Sequence, residues 1–179
     1  MTYGASPAAP IIFRQLRVDD VPMLHEWRIR PHVAEWWQPV ASFIESVGDF
    51  TPLTDPAVST RGYIAMLDGA PLGFIQSYIV LGSGDGWWEN ETDPGARGID
   101  QFLADGSRLG QGLGSAMISA FVDTLFLDGA VSRVQADPSP LNERAIRCYR
   151  RAGFTSCGEV LTPDGPALLM IRDRTVDTR

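Results

Sequence analysis

The chain has 179 residues, of which 44% are hydrophobic and 21% are charged, which is typical of one globular domain with a sizeable core. Its net charge of −7 argues against nucleic acid as a partner, and no apolar run is long enough to cross a bilayer. The two cysteines, Cys148 and Cys157, have no metal-ligand spacing and indicate no disulfide framework. We therefore expect a cytoplasmic protein with no metal and no membrane partner.

Residues 1–10 are small and rich in proline, which predicts a flexible N-terminal tail. Neither a repeat nor a change in composition divides residues 11–179, so we predict one domain there. The sequence leaves open whether the protein is a monomer or a homodimer.

The apolar patterns predict strands and helices in mixed order, and Asp68-Gly69 indicates a hairpin turn. In chain order we predict a strand at 11–17, a helix after Asp19, helical segments around Val33 and at 40–50, strands at 62–67 and 72–80, a polar loop at 82–97, a strand at 98–104, a helix at 115–127, a strand at 131–136, a helix at 141–152, and strands at 154–161 and 166–172. This order predicts an α+β fold.

The stretch SRLGQGLGSAM places Gly110, Gly112 and Gly114 directly before an apolar helical run. Each glycine lowers helix stability by about 1 kcal/mol relative to alanine, so a bare backbone is favoured here for another reason. A helix start presents free N–H groups and the positive end of the dipole, which suit a phosphate. A nucleotide-binding P-loop is excluded, because it needs a lysine and the chain has none.

A dinucleotide fingerprint also fits poorly, because Ser115 or Met117 stands where its third glycine is required. Two interpretations of the glycines remain open at this point. Backbone amides alone hold a pyrophosphate, or the segment is a tight strand-to-helix turn without a ligand.

The later segment ADPSPLNERAIRCYRRAGF places Asn142, Ala145, Tyr149 and Gly153-Phe154 after a predicted strand. Together with LGQGLG, it resembles the GNAT superfamily of acetyl-CoA-dependent N-acetyltransferases. The runs LGSGDGWWENETDPGARGIDQFLAD, DPSPLNERAIRCYRRAGF and TPDGPA are similar to the aminoglycoside 6′-N-acetyltransferases. The resemblance covers most of the chain and implies a GNAT fold, a mixed central β-sheet flanked by helices, with acetyl-CoA as co-substrate.

The resemblance implies that backbone amides of the glycine stretch hold the pyrophosphate of coenzyme A. These residues are Leu109, Gly110, Gly112, Leu113, Gly114 and Ser115. Leu109 stands where the general pattern has Gln or Arg, so only its backbone N–H is retained. The preceding strand, with Gln101, Phe102 and Leu103, is implied to pair with the pantetheine arm and to polarise the thioester carbonyl. Asn142 is implied to bond the same arm, or it bonds locally at a helix start.

Asp100 is implied to orient the attacking amine and to pass on its proton. The alternative is a strand-end aspartate bonded to a nearby loop. Tyr149 is implied to protonate the departing thiolate, since a tyrosine of pKa about 10 reaches a thiolate of pKa about 8.5 with little cost. The alternative is that Ile146, Tyr149 and Ala152 form the core face of a helix.

The polar loop is acidic and contains Trp87-Trp88, which suits the ammonium groups and sugar faces of a polycationic aminoglycoside. The predicted substrate-binding residues are Asp85, Trp87, Trp88, Glu89, Glu91, Asp100, Asp137, Trp37 and Tyr63, with Asp164 as a further candidate. A solvated acidic loop, a helix cap at Asp137, a turn at Asp164 and core packing of the aromatic residues are the alternatives.

The resemblance thus implies direct acetyl transfer to the 6′-amine of aminoglycoside antibiotics, which inactivates them. The alternatives are a GNAT enzyme that acts on another amine or a peptide N-terminus, and a non-catalytic module that binds acyl-CoA or aminoglycosides.

Overall fold

The computed structural model of the protein describes residues 9–38 and 42–175. Its strands are β1 (Ile12–Gln15), β2 (Arg61–Leu67), β3 (Ala70–Ile79), β4 (Ala96–Leu103), β5 (Arg133–Ala136), β6 (Thr155–Thr162) and β7 (Gly165–Asp173). Its α-helices are α1 (Val21–Arg28), α2 (Pro31–Ala34), α3 (Phe43–Phe50), α4 (Leu113–Leu125) and α5 (Glu143–Arg151), and single 3-10 turns lie at Val18–Asp20, Thr51–Thr54 and Gly106–Arg108. Residues 1–8 of the predicted tail, and Val40 at the start of a predicted helix, lie outside the described residues.

The strands form one mixed sheet in the order β1-β2-β3-β4-β5-β7-β6. The β4–β5 pair is parallel and the other pairs are antiparallel. This α+β architecture, a mixed central sheet with helices on both faces, is the one that the resemblance implies.

The parallel pair covers little of β4. Register contacts with β5 run only from Ala96 to Gly98, whereas contacts with β3 continue to Leu103. The second half of β4 therefore has a neighbouring strand on one side and an opening on the other.

Alternating side chains of the central strands build two apolar layers. Phe74 and Phe102 pack against α1, α2 and α3, and Ile75 and Ile99 pack against α4 and α5. Burying each such side chain stabilises the fold by roughly 1.5–3 kcal/mol, so both layers hold β4 firmly in place.

Several element starts differ from the prediction by one to three residues, and two of these differences affect the surroundings of the opening. Helix α4 begins at Leu113 rather than at residue 115, because the left-handed Gly112 (φ 82°) ends the turn earlier than the apolar run suggests. Strand β4 begins at Ala96, which shortens the predicted polar loop. Within the described ranges, no helix combines the length and the apolar character that a membrane span requires.

Candidate active site

A cavity of about 870 Å³ opens where β4 and β5 separate. We call it the groove. Its walls come from α2, β3, β4, the glycine stretch, α5, the loop after β3 and the β6–β7 hairpin. Its size lies in the range of small-molecule binding sites.

The inner edge of β4 offers free backbone groups to the groove. The Ala104 N–H donates to Leu72 O (3.0 Å), and Ala96 O accepts from the Val80 N–H (3.3 Å), so even-numbered residues of β4 bond to β3. By strand alternation, the backbone groups of Gln101 and Leu103 point the other way, beyond the end of β5.

Phe102 differs from its two neighbours, although it also lines the groove. Its backbone belongs to the ladder with β3, and its ring lies 5.0 Å from the ring of Trp37. Phe102 therefore contributes an apolar surface rather than the backbone pairing that its predicted role requires.

The glycine stretch forms an open cradle at the start of α4. Gly110 and Gly112 have φ values of 77° and 82°, and nothing lies within 4 Å of a Cβ built at either residue. No side chain caps the helix start, and the buried Ser115 hydroxyl has no hydrogen-bond partner. These free donors fit the oxygens of a diphosphate.

Helix α5 packs directly against this cradle. A Cβ at Gly114 would lie 3.3 Å from Cys148 Sγ, so a larger residue there would push the helices apart. Leu109 and Leu113 turn their side chains to the small apolar cluster around Met117, which leaves only their backbones for a ligand.

Asp100 lies on β4 and lines the groove. The amide of Gln76, its register partner on β3, donates to Asp100 Oδ2 (2.8 Å) and fixes the carboxyl group. Burial raises the pKa of Asp100 above its ordinary value, and the charge of Asp164 adds to this increase. A carboxylate with a raised pKa accepts a proton from an amine more readily.

Two further carboxyl groups join it. Asp137 follows the end of β5 and Asp164 lies in the β6–β7 hairpin, and both line the groove. Burial, followed by the charges of Asp100 and Asp164, raises the pKa of Asp137 to about 7. Three carboxyl groups thus line the same groove, a composition that suits cationic ligands.

Tyr149 on α5 is buried and lies 5.2 Å from the Phe154 ring. Burial, and then the charges of Asp100 and Asp137, raise the pKa of Tyr149 well above its ordinary value, while contact with Gln101 opposes this shift. Its hydroxyl therefore carries its proton at neutral pH.

Asn142 caps α5, because its Oδ1 accepts from the Ala145 N–H (3.0 Å). The local interpretation of this residue thus holds. Asn142 also lines the groove, and the cap leaves its side-chain N–H₂ group available to a ligand.

Aromatic rings line the walls of the acidic end of the groove. Trp87 and Trp88, with ring centroids 6.1 Å apart, lie in the loop after β3, and Trp36 and Trp37 follow α2. Arg28 lies 5.9 Å from the Trp37 ring and donates to Gln38 O (2.7 Å), which holds this wall in place.

A family profile described as an acetyltransferase (GNAT) domain matches residues 17–162. The chain is 49% identical over 169 residues to aminoglycoside N(6′)-acetyltransferase type 1 of Klebsiella pneumoniae, which covers 92% of this chain and 83% of the relative. The chain belongs to the GNAT family of acetyltransferases, among the aminoglycoside N(6′)-acetyltransferases. The predicted family membership is confirmed.

Two solved structures of AAC(6′)-Ib resemble this acetyltransferase closely. One, in complex with parmomycin and acetyl-CoA, has a TM-score of 0.88 at 49% identity and covers 92% of this chain and 94% of its own. The other, in complex with coenzyme A and kanamycin, has a TM-score of 0.87 at 50% identity and covers 92% and 95%.

The predicted substrate-binding role of Glu91 does not fit its position in the structure. The Glu91 carboxylate pairs with Arg133 at 2.6 Å, is only 9% exposed, and does not line the groove. Burial alone would raise the pKa of Glu91, but hydrogen bonds from the Asp93 N–H and Arg133 outweigh it and hold this pKa below its ordinary value. Glu91 anchors the acidic loop and is not free for a substrate.

The predicted substrate contact of Tyr63 is also wrong. Its ring packs 5.2 Å from that of Phe121, on the face of the sheet that α4 covers, so it belongs to the core. Asp85 and Glu89 are exposed and lie outside the groove lining. Their charges can act on a substrate only through solvent.

Sequence reasoning missed several residues of the groove, among them Gln76 and Tyr78 on β3. Both are polar residues with period two in a strand that is apolar apart from them and Ser77, which was a usable signal. The Tyr78 ring lies across β4, and a Cβ at Gly98 would sit 2.0 Å from its Cζ. A glycine inside a strand is typical of such close approach.

Within the described part of the chain, no three His, Cys, Asp or Glu side chains are grouped so that they could hold a metal ion.

Proposed function

We propose that this acetyltransferase transfers the acetyl group of acetyl-CoA directly to the 6′-amine of aminoglycosides, which inactivates these antibiotics. The observation that carries the proposal is the composition of one groove. Three carboxyl groups converge at one end, and free backbone donors line the other. The relatives' complexes with acetyl-CoA, kanamycin and parmomycin support it. A reaction that consumes acetyl-CoA also agrees with a cytoplasmic location.

Acetyl-CoA enters along the backbone. The N–H groups of residues 112–115 suit its diphosphate, and the free edge of β4 at Gln101 and Leu103 suits the amides of its pantetheine arm. Bound in this way, the thioester reaches the part of the groove that contains Asp100.

The aminoglycoside enters from the opposite end. Its ammonium groups pair with Asp100, Asp137 and Asp164, and its sugar faces lie against Trp37 and Trp87. These contacts place one amine beside the thioester, and such positioning alone contributes several kcal/mol to catalysis.

The reaction needs a neutral amine, and Asp100 accepts the proton that the ammonium loses, directly or through water. The amine nitrogen then forms a bond to the thioester carbon. The developing oxyanion is stabilised by a β4 N–H such as that of Gln101. The carbon–sulfur bond breaks, and the thiolate takes the Tyr149 proton. The acetylated nitrogen loses its second proton through water to Tyr149, and Asp100 releases the first proton to solvent, so the products are the acetamide, the thiol of coenzyme A and one proton.

Burial raises the pKa of Tyr149, but the departing thiolate occupies the same carboxylate-rich surroundings. These surroundings disfavour its charge as well, so proton transfer from tyrosine to sulfur stays within reach.

The deciding experiment measures thiol release from acetyl-CoA by the purified protein with matched aminoglycosides that carry a 6′-amine or a 6′-hydroxyl. We expect release only with the 6′-amine. Thiol release with other amines or with peptides, but with none of the aminoglycosides, would show that the substrate is a different amine. Binding of both ligands without release would make the protein a non-catalytic module.

A further inference from the structure

A basic stripe runs along the cofactor end of the groove. Arg144, Arg147 and Arg151 all lie on α5, and all three line the groove. Their spacing of three and four residues places them on one face of the helix. The protein carries a net charge of −7, so this grouping runs against the overall charge.

The stripe lies beside the glycine cradle. Cys148 occupies the same helical face, four residues after Arg144, and its Sγ is the atom that a Cβ at Gly114 would meet at 3.3 Å. The face of α5 that carries the arginines is therefore the one that abuts the start of α4.

The arginines have little charge compensation from the protein itself. Among the described residues, neither Arg144 nor Arg151 forms an ion pair, and Arg147 pairs only with Glu143 on the same helix, at 3.0 Å. That pair is exposed to solvent and is therefore easily exchanged for another anion.

We propose that Arg144, Arg147 and Arg151 bind the 3′-phosphate of coenzyme A and make the enzyme select acetyl-CoA over co-substrates that lack it. The proposal rests on the proposed function, because it requires coenzyme A in the groove. The neutral amides of the cradle suit the diphosphate of coenzyme A. The 3′-phosphate, a dianionic monoester on the adenosine, then still needs positively charged partners. Guanidinium groups pair with such a phosphate through two parallel hydrogen bonds.

The test compares acetyl-CoA with acetyl-3′-dephospho-CoA in the wild type and in the triple variant Arg144→Gln, Arg147→Gln, Arg151→Gln. We expect the wild type to prefer acetyl-CoA by about 10- to 100-fold in kcat/KM, mostly through KM, as charge-assisted pairs of this kind allow. The triple variant should lose this preference because its KM for acetyl-CoA rises, while its use of the dephospho compound changes little.

Arg150→Gln is the matched control, because Arg150 lies on the same helix, is exposed and does not line the groove. It should leave the preference intact. Equal use of both co-substrates by the wild type would overturn the proposal, and so would a preference that survives in the triple variant. Equal losses with both co-substrates would also overturn it, since the arginines would then act on the diphosphate.

Calorimetry with coenzyme A and with 3′-dephospho-CoA, without aminoglycoside, tests the proposed function and the 3′-phosphate assignment separately. Absence of binding by either compound would contradict the proposed function. Equal binding of the two would contradict the 3′-phosphate assignment alone.

Discussion

The two ends of the groove offer a ligand different chemistry. At the acidic end, three side-chain carboxyl groups converge under aromatic walls, and burial raises the pKa of Asp100 and of Asp137. At the cofactor end, the cradle consists of main-chain groups, with Gly110 and Gly112 in left-handed conformations. Side-chain identity therefore controls the first site, whereas backbone geometry controls the second. Mutations should separate the two ends.

Asp100→Asn should have the largest effect. The amide keeps the shape of the side chain but accepts no proton, so kcat should fall about 10²- to 10⁴-fold. The KM for acetyl-CoA should stay within about twofold, because Asp100 belongs to the acidic end. Steady-state kinetics with both substrates varied would measure this, with Asp68→Asn, in a distant hairpin turn, as the control. An unchanged kcat would remove Asp100 from the mechanism.

Gly112→Ala tests the cofactor end. The left-handed conformation costs an alanine about 1–2 kcal/mol, so the turn should relax and misalign its N–H groups. We expect the KM for acetyl-CoA to rise about tenfold and the KM for aminoglycoside to stay nearly constant.

Gly69→Ala is its matched control, because Gly69 has φ 77° and open space around a Cβ, but lies in the β2–β3 turn. It should lower the melting temperature similarly without a change in KM. If Gly112→Ala also left the KM for acetyl-CoA unchanged, the cradle would not bind the cofactor.

Asp137 should give the acidic end a pH dependence. Its pKa of about 7 means that its carboxyl group loses a proton as the pH rises through neutrality, so the KM for a polycation should fall over that range. Asp137→Asn should flatten this part of the profile. A wild-type KM that stays constant from pH 6 to 8, after correction for the protonation of the aminoglycoside amines, would contradict this role of Asp137.

The same group affects stability. The pKa of Asp137 is raised in the fold above its ordinary 3.8, so the folded state binds more protons between about pH 4 and pH 7. Its contribution to the free energy of unfolding therefore decreases as the pH rises through this range. Asp137→Asn should raise the melting temperature at pH 8 by roughly 3–6 °C relative to the wild type, and much less at pH 5.

The smallest effect is expected from Asp85→Asn combined with Glu89→Gln. Both side chains are exposed and outside the groove, so they attract the polycation only through screened charge. The KM for aminoglycoside should rise about two- to threefold at low salt and match that of the wild type at 0.5 M salt. A large effect that persists at high salt would place these residues in direct contact with the substrate.

The sequence predicted the backbone site better than the side-chain site. The glycines of LGQGLG indicate a helix start with free N–H donors, because the whole pattern lies within one short segment of the chain. Asp100, Asp137 and Asp164 come together only through the sheet order, which places β4, β5 and the β6–β7 hairpin around one opening. Resemblance, rather than spacing, singled out Asp100.

Glu91 and Tyr63 show why two of the predicted substrate contacts were wrong. An acidic residue in an acidic loop is expected to bind cations, but the Glu91 carboxylate forms an ion pair with Arg133 on β5. An aromatic residue at a strand position looks the same whether it faces the core or a cavity. Both outcomes depend on tertiary neighbours that one sequence does not specify.

The most direct test of the two-ended groove is a crystal structure with coenzyme A and kanamycin bound together. The account predicts diphosphate oxygens within hydrogen-bond distance of the amides of residues 110–115, the thiol beside Tyr149 and the 6′-nitrogen beside Asp100. Coenzyme A bound elsewhere, or with its adenosine among the three carboxyl groups, would contradict it.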